Sequence, residues 1–199
     1  MPFTRPVFIV AVIAALLMLI TALWYRSGGS PLTEAEVNSY MQRVDELPPT
    51  TRDFLQGLDV ATFMRADDGK PVHVVNLFQL NPDSGEQALA RFSRAMLPLW
   101  LKKGGYPVFS MPVASPSAVQ PWEFISVVRY RSRRDFMEVV LDQAYSQALP
   151  DRQAATQLNV RVVSSGNEFP RPLLLIFAIL ASVLIFTWAI AAWRSKASR

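Results

Sequence analysis

Two runs of the chain are apolar without interruption, and between them apolar and polar positions alternate with recognisable periods. Val7–Tyr25 contains 19 residues and no charge, and Leu173–Trp193 contains 21 and no charge. A helix rising about 1.5 Å per residue needs such a length to cross a hydrocarbon core of roughly 30 Å. Trp24 and Tyr25 close the first run, and Trp188 and Trp193 lie towards the end of the second, where an interfacial aromatic belt would place them. The expectation is a pair of transmembrane helices at 6–26 and 172–194. The first reads as an uncleaved signal anchor, because Leu23-Trp24-Tyr25 supplies no small-x-small cleavage site.

Residues 31–66 read as a helical extension. Thr33 and Glu36 have the spacing of a capping box. Val37, Tyr40, Met41, Val44 and Leu47 then recur at helical spacing, until Pro48-Pro49 ends the helix. A second helical piece over 51–65 carries Phe54, Leu55, Leu58, Ala61 and Phe63.

Residues 70–165 carry the pattern of a sheet with helices. Val72–Leu80 is a strand with apolar residues on both parities. Ser84 and Gln87 suggest another capping box, ahead of a helix with Leu89, Phe92, Met96 and Leu99 on one face, stopped by Gly104-Gly105. Tyr106–Val113 is a strand whose prolines, Pro107 and Pro112, suit an edge. A Pro/Ser loop over 114–121 leads to a strand at Trp122–Arg131. Ser132 caps a helix with Phe136, Val139 and Val140 inward, and further helical turns are interrupted at Pro150. Leu158–Ser164 is the last strand. The order β-α-β-β-α-β is the split βαβ, ferredoxin-like arrangement of an α+β domain. Its helices cover one sheet face, so the second face needs a cover, which a second copy of the sheet in a two-fold homodimer would supply.

Charge is partitioned along the chain. All 16 acidic residues lie between Glu34 and Glu168, with fourteen cations among them, leaving the central segment at −2. The high pI therefore belongs to the terminal segments, and a nucleic-acid partner for the central domain is excluded for want of a basic face. Arg5 at one end and Arg194, Lys196 and Arg199 at the other predict, by the positive-inside rule, two cytoplasmic termini and a periplasmic central domain in a bacterial inner membrane. The chain has no cysteine, so thiolate chemistry is excluded.

Several landmarks recur together: Phe63-Met64, Asp67-Asp68-Gly69-Lys70-Pro71, Val75-Asn76-Leu77-Phe78, Lys103-Gly104-Gly105, Trp122-Glu123-Phe124, Val128-Arg129-Tyr130, Ser132-Arg133-Arg134-Asp135-Phe136 and Ala148-Leu149-Pro150-Asp151-Arg152. Over about Ala61 to Ser164 they resemble a bacterial family of unknown function in the dimeric α/β-barrel superfamily. The resemblance implies a ferredoxin-like dimer. It implies no single activity, because that superfamily includes cofactor-free monooxygenases, haem-handling enzymes and plain ligand binders.

Candidate chemistry is sparse. His73, the single histidine, shares a strand face with Val75, Leu77 and Gln79. It reads as a hydrogen-bonded or exposed residue, or as a haem ligand or acid/base group. Asn76 lies between Val74 and Phe78, as a structural amide or a polar anchor in a cavity. Arg129 has the parity of Ile125 and Val127 and would hold a carboxylate ligand if that face lines the barrel. Tyr130 takes the other face with Ser126, and the cavity face stays open. Arg129, Arg131, Arg133 and Arg134 crowd around Tyr130, either as a solvated cluster paired with Asp135 and Glu138 or as a site for an anionic ligand or lipid. No metal site, cofactor or nucleophile motif is assigned. The expected function is a membrane-anchored periplasmic module that binds a small anionic ligand or a membrane-complex partner. The alternative is a cofactor-free or haem-using oxidoreductase.

Overall fold

The computed structural model describes residues 5–25, 29–114, 121–165 and 172–197, with side chains described at 9–25 and 176–190 in the two terminal helices. The elements in order are α1 (Arg5–Tyr25), α2 (Glu34–Asp45), α3 (Pro49–Leu55), α4 (Val60–Arg65), β1 (Val72–Leu80), α5 (Gly85–Lys102), β2 (Tyr106–Pro112), β3 (Phe124–Tyr130), α6 (Arg133–Val140), α7 (Gln143–Ala155), β4 (Thr156–Ser165) and α8 (Pro172–Ala197). They form two units. One holds α1 and α8, which pack on each other, and the other spans Ser27–Gly166.

Both apolar terminal runs are helical, yet among the described residues no helix is long and apolar enough to cross a membrane. The structure therefore corrects the expected placement. A two-span inner-membrane protein with cytoplasmic termini and a periplasmic domain is not supported.

The larger unit is an α+β fold around a four-stranded antiparallel sheet of order β2-β3-β1-β4. β1 is central, between β3 and β4, as its apolar character on both parities requires. β2 is an edge, and its register slips between Pro107 and Phe109, as expected where a proline withholds its ladder donor. Val72, Val74, Asn76 and Phe78 are buried towards the helices, and the intervening residues of β1 are half-buried on the other face. α5 brings Leu89, Phe92, Met96, Leu99 and Trp100 against the sheet. α7 adds Tyr145, Ala148, Leu149, Arg152 and Ala155.

Local signals explain most boundaries. Thr33 and Glu36 form the reciprocal capping box of α2, with Thr33 N donating to Glu36 Oε2 at 2.8 Å and Glu36 N donating to Thr33 Oγ1 at 3.3 Å. Ser132 Oγ accepts from Asp135 N at 3.1 Å and starts α6. Two expectations fail. Ser84 makes no capping bond, because its backbone (φ −139, ψ −1) is outside the extended geometry an N-cap needs. Pro150 does not interrupt the helix: α7 continues through it to Ala155. Most of the stretch expected as a Pro/Ser loop, 115–120, lies outside the described residues.

The helical extension is tied down at Glu138 on α6. Its carboxylate accepts from Arg43 at 2.6 Å, Tyr40 at 2.9 Å and Lys103 at 3.3 Å. Burial works against the charge, but the hydrogen bonds from Arg43 and Tyr40 hold its pKa down at about 2. These contacts join α2, the C-terminal end of α5, and α6 around one carboxylate.

Candidate functional site

The face of the sheet turned to α5 and α7 is incompletely filled. Between them lies a cavity of about 370 Å³, at the small end of the roughly 300–1,000 Å³ usual for small-molecule sites. Its walls are mostly rings and aliphatic groups. Phe78 comes from β1, Phe92 and Trp100 from α5, Tyr130 from β3, Tyr145 from α7 and Phe54 from α3. The rings brace one another. Phe92 meets Tyr145 and Trp100 edge-on at 6.4 and 6.3 Å between centroids, and Phe54 lies 5.6 Å from Tyr145.

The polar part of the lining is concentrated at one place. Asn76 of β1 is paired in register with Arg161 of β4, and Phe78 with Asn159, so these side chains share the helix-facing side. Arg152 reaches them from the last turn of α7. Its Nη2 donates to Asn76 Oδ1 at 2.8 Å and to Asn159 Oδ1 at 3.0 Å. Its guanidinium lies over the rings of Phe54, Phe78 and Phe92 at 5.1, 5.1 and 5.5 Å. Arg161 stacks on Phe54 at 4.2 Å and donates from Nη2 to the Phe54 carbonyl at 3.2 Å. Burial pulls both guanidinium pKa values below their ordinary value, and the Arg152 charge adds to the effect on Arg161. Burial pushes the Tyr145 hydroxyl up to about 12 and that of Tyr130 higher still. Among the described residues the cavity is lined by no histidine and no carboxylate.

The four residues singled out from sequence divide between the two sheet faces. Asn76 and Tyr130 are buried and line the cavity. His73 and Arg129 are cross-strand neighbours on the opposite face, where Arg129 is buried with its guanidinium 5.7 Å from the Tyr106 ring. The cavity face is thus that of Tyr130 and Ser126, and Arg129 is not placed to hold a ligand in it. The arginine cluster is largely matched with acids. Arg131 pairs with Asp135 at 2.9 Å, Arg134 with Glu36 at 2.6 Å, and Arg133 with Asp68 at 3.7 Å. Glu138 is taken by Arg43 and Lys103 rather than by this cluster. Among the described residues no group of acids and histidines could hold a metal ion.

Four cavity residues, Arg152, Arg161, Tyr145 and Trp100, are not marked as site residues by the sequence. The available signal was the polar pair Asn159 and Arg161 on one parity of β4, level with Asn76.

No family model matches the chain, and no curated protein does. Solved structures resemble part of it. A protein of unknown function from Rhodopseudomonas palustris is 25% identical, with a TM-score of 0.48, over 54% of this chain and 91% of that one. A NIPSNAP family protein from Agrobacterium tumefaciens is 13% identical, with a TM-score of 0.37, over 50% and 89%. SnoaB, a cofactor-independent oxygenase from Streptomyces nogalater, is 15% identical, with a TM-score of 0.34, over 51% and 99%.

Proposed function

We propose that the chain is a binding module for a small, largely apolar molecule, held in the cavity between the sheet and helices α5 and α7. The observation that carries this is the cavity itself: about 370 Å³ left open among ring walls, in a core that would ordinarily close to crystal-like density. The lining favours binding over proton abstraction. A general base needs a pKa near the working pH, and the ionisable groups here are arginines and high-pKa tyrosines. The oxidoreductase reading therefore has less support from these residues than the binding one.

Filling the cavity tests the proposal. Ser126 lines it from β3, and Ser126→Phe places a ring in the open space. The neutral fluorophore N-phenyl-1-naphthylamine is expected to brighten with the wild-type protein and to lose at least about tenfold in affinity with the variant, roughly 1.4 kcal/mol. Equal affinity for both proteins would put the binding site elsewhere.

A second copy of the chain is the proposed cover for the opposite sheet face. Val108, Phe109, Met111, Leu158, Val160 and Val162 stand there at 37–52% exposure, beside half-buried Val75 and Leu77. A two-fold axis would make this patch its own complement. Sedimentation equilibrium is expected to show a dimer that Val160→Asp dissociates; a wild-type monomer would refute it.

A further inference from the structure

Several arginines of the larger unit are ion-paired. Arg43, Arg65, Arg91, Arg131 and Arg134 each meet a carboxylate, at 2.6 to 3.2 Å. Arg152 and Arg161, which line the cavity, meet no carboxylate among the described residues. Even Asp151, the chain neighbour of Arg152, turns away to Arg91 at 2.8 Å.

Burying a charge without an opposite charge costs several kcal/mol. Ring faces and amide oxygens return part of that, and both arginines use them. Arg152 is well served, with three rings and two amide oxygens. Arg161 is not. Its Nη1 is buried and has no hydrogen-bond partner among the described residues. A buried charged donor left in that state marks a place for an acceptor from outside the chain.

We propose that Arg152 and Arg161 form an anion site inside the cavity, and that the molecule bound there carries a carboxylate on an apolar or aromatic body. This rests on the cavity being a ligand site. The choice of carboxylate follows from the donors. Arg152 Nη2 is already committed to Asn76 and Asn159, and Arg161 Nη2 to the Phe54 carbonyl. Arg161 Nη1, a buried donor without a hydrogen-bond partner beside a second positive charge, suits a carboxylate oxygen. A phosphate presents three or more acceptors and would leave most of them unmet among phenyl rings. The ring walls then receive the rest of the molecule.

The test compares two ligands of one shape, 2-naphthoate and 2-naphthamide, by isothermal titration at pH 7. The carboxylate is expected to bind the wild-type protein about tenfold tighter or more, the yield of one charge-assisted hydrogen bond. Arg161→Gln is expected to bring the two ligands to within about threefold, by weakening the naphthoate far more than the amide. The wild-type protein gives a second readout without any variant. Its preference should vanish as the ligand carboxylate protonates, below about pH 4. Equal affinity of both ligands at pH 7 would overturn the anion site and leave the cavity reading intact. Binding of neither would overturn both. A preference that survives Arg161→Gln would move the anion away from this pair.

Discussion

Replacing Phe78 with Ala is expected to lower the unfolding free energy by about 3–5 kcal/mol, the range for emptying a buried aromatic site. Phe78 is buried towards the C-terminal end of β1, 6.4 Å from the Phe124 ring, and its face supports the Arg152 guanidinium. The void left by the ring would merge with the existing cavity, so neighbouring side chains could not collapse to fill it. Urea denaturation measures the effect as a lower midpoint with little change in slope. Phe78→Leu keeps most of the volume but loses the ring face, and is expected to cost roughly half as much. A loss below about 1 kcal/mol for Phe78→Ala would mean that β1 is not packed as described.

Arg152→Ala carries the second large effect, an expected loss of about 2–4 kcal/mol. It gives up three ring contacts and two hydrogen bonds, and strands the side-chain oxygens of Asn76 and Asn159. The relief of desolvating a charge offsets part of this. Arg152→Lys separates geometry from charge. An ammonium keeps the charge but offers neither the planar face that lies among the three rings nor a fork that spans two amides. Its cost is therefore expected to approach that of Ala, by the same denaturation assay. A lysine variant within about 0.5 kcal/mol of wild type would show that charge alone holds the site. Phe78→Ala and Arg152→Ala share a contact, so the double variant should fall short of additivity by about 0.5–3 kcal/mol.

Much of this fold was readable from residue periods. Val72–Leu80 emerges at its expected bounds, the prolines of β2 mark an edge, and Thr33 and Glu36 make their box. The site was readable only in part, for two physical reasons. Alternation separates Asn76 and Tyr130 from His73 and Arg129, but does not say which set meets the helices. That depends on how α5 and α7 cross the sheet, which is a tertiary matter. In β4 the ordinary rule points the wrong way. Leu158, Val160 and Val162 would be assigned to the core and Arg161 to solvent, whereas the structure leaves the valines exposed and turns Arg161 towards the rings. A strand that breaks the rule in this way departs from local consistency where a site is expected. Arg152 was hidden differently. It follows Pro150, which reads as a helix break, yet α7 runs on and delivers the arginine to the cavity. The apolar terminal runs show the limit of composition: each is long enough by residue count, while no described helix meets the requirement for a span.

The most direct measurement is the anomalous scattering of bromine in crystals of the protein soaked with 6-bromo-2-naphthoate. One bromine peak is expected between the sheet and α5, among Phe78, Phe92 and Trp100, with the carboxylate in hydrogen-bond reach of Arg161 Nη1. A peak on the far face of the sheet, beside His73 and Arg129, with the ring-lined space unchanged, would contradict it.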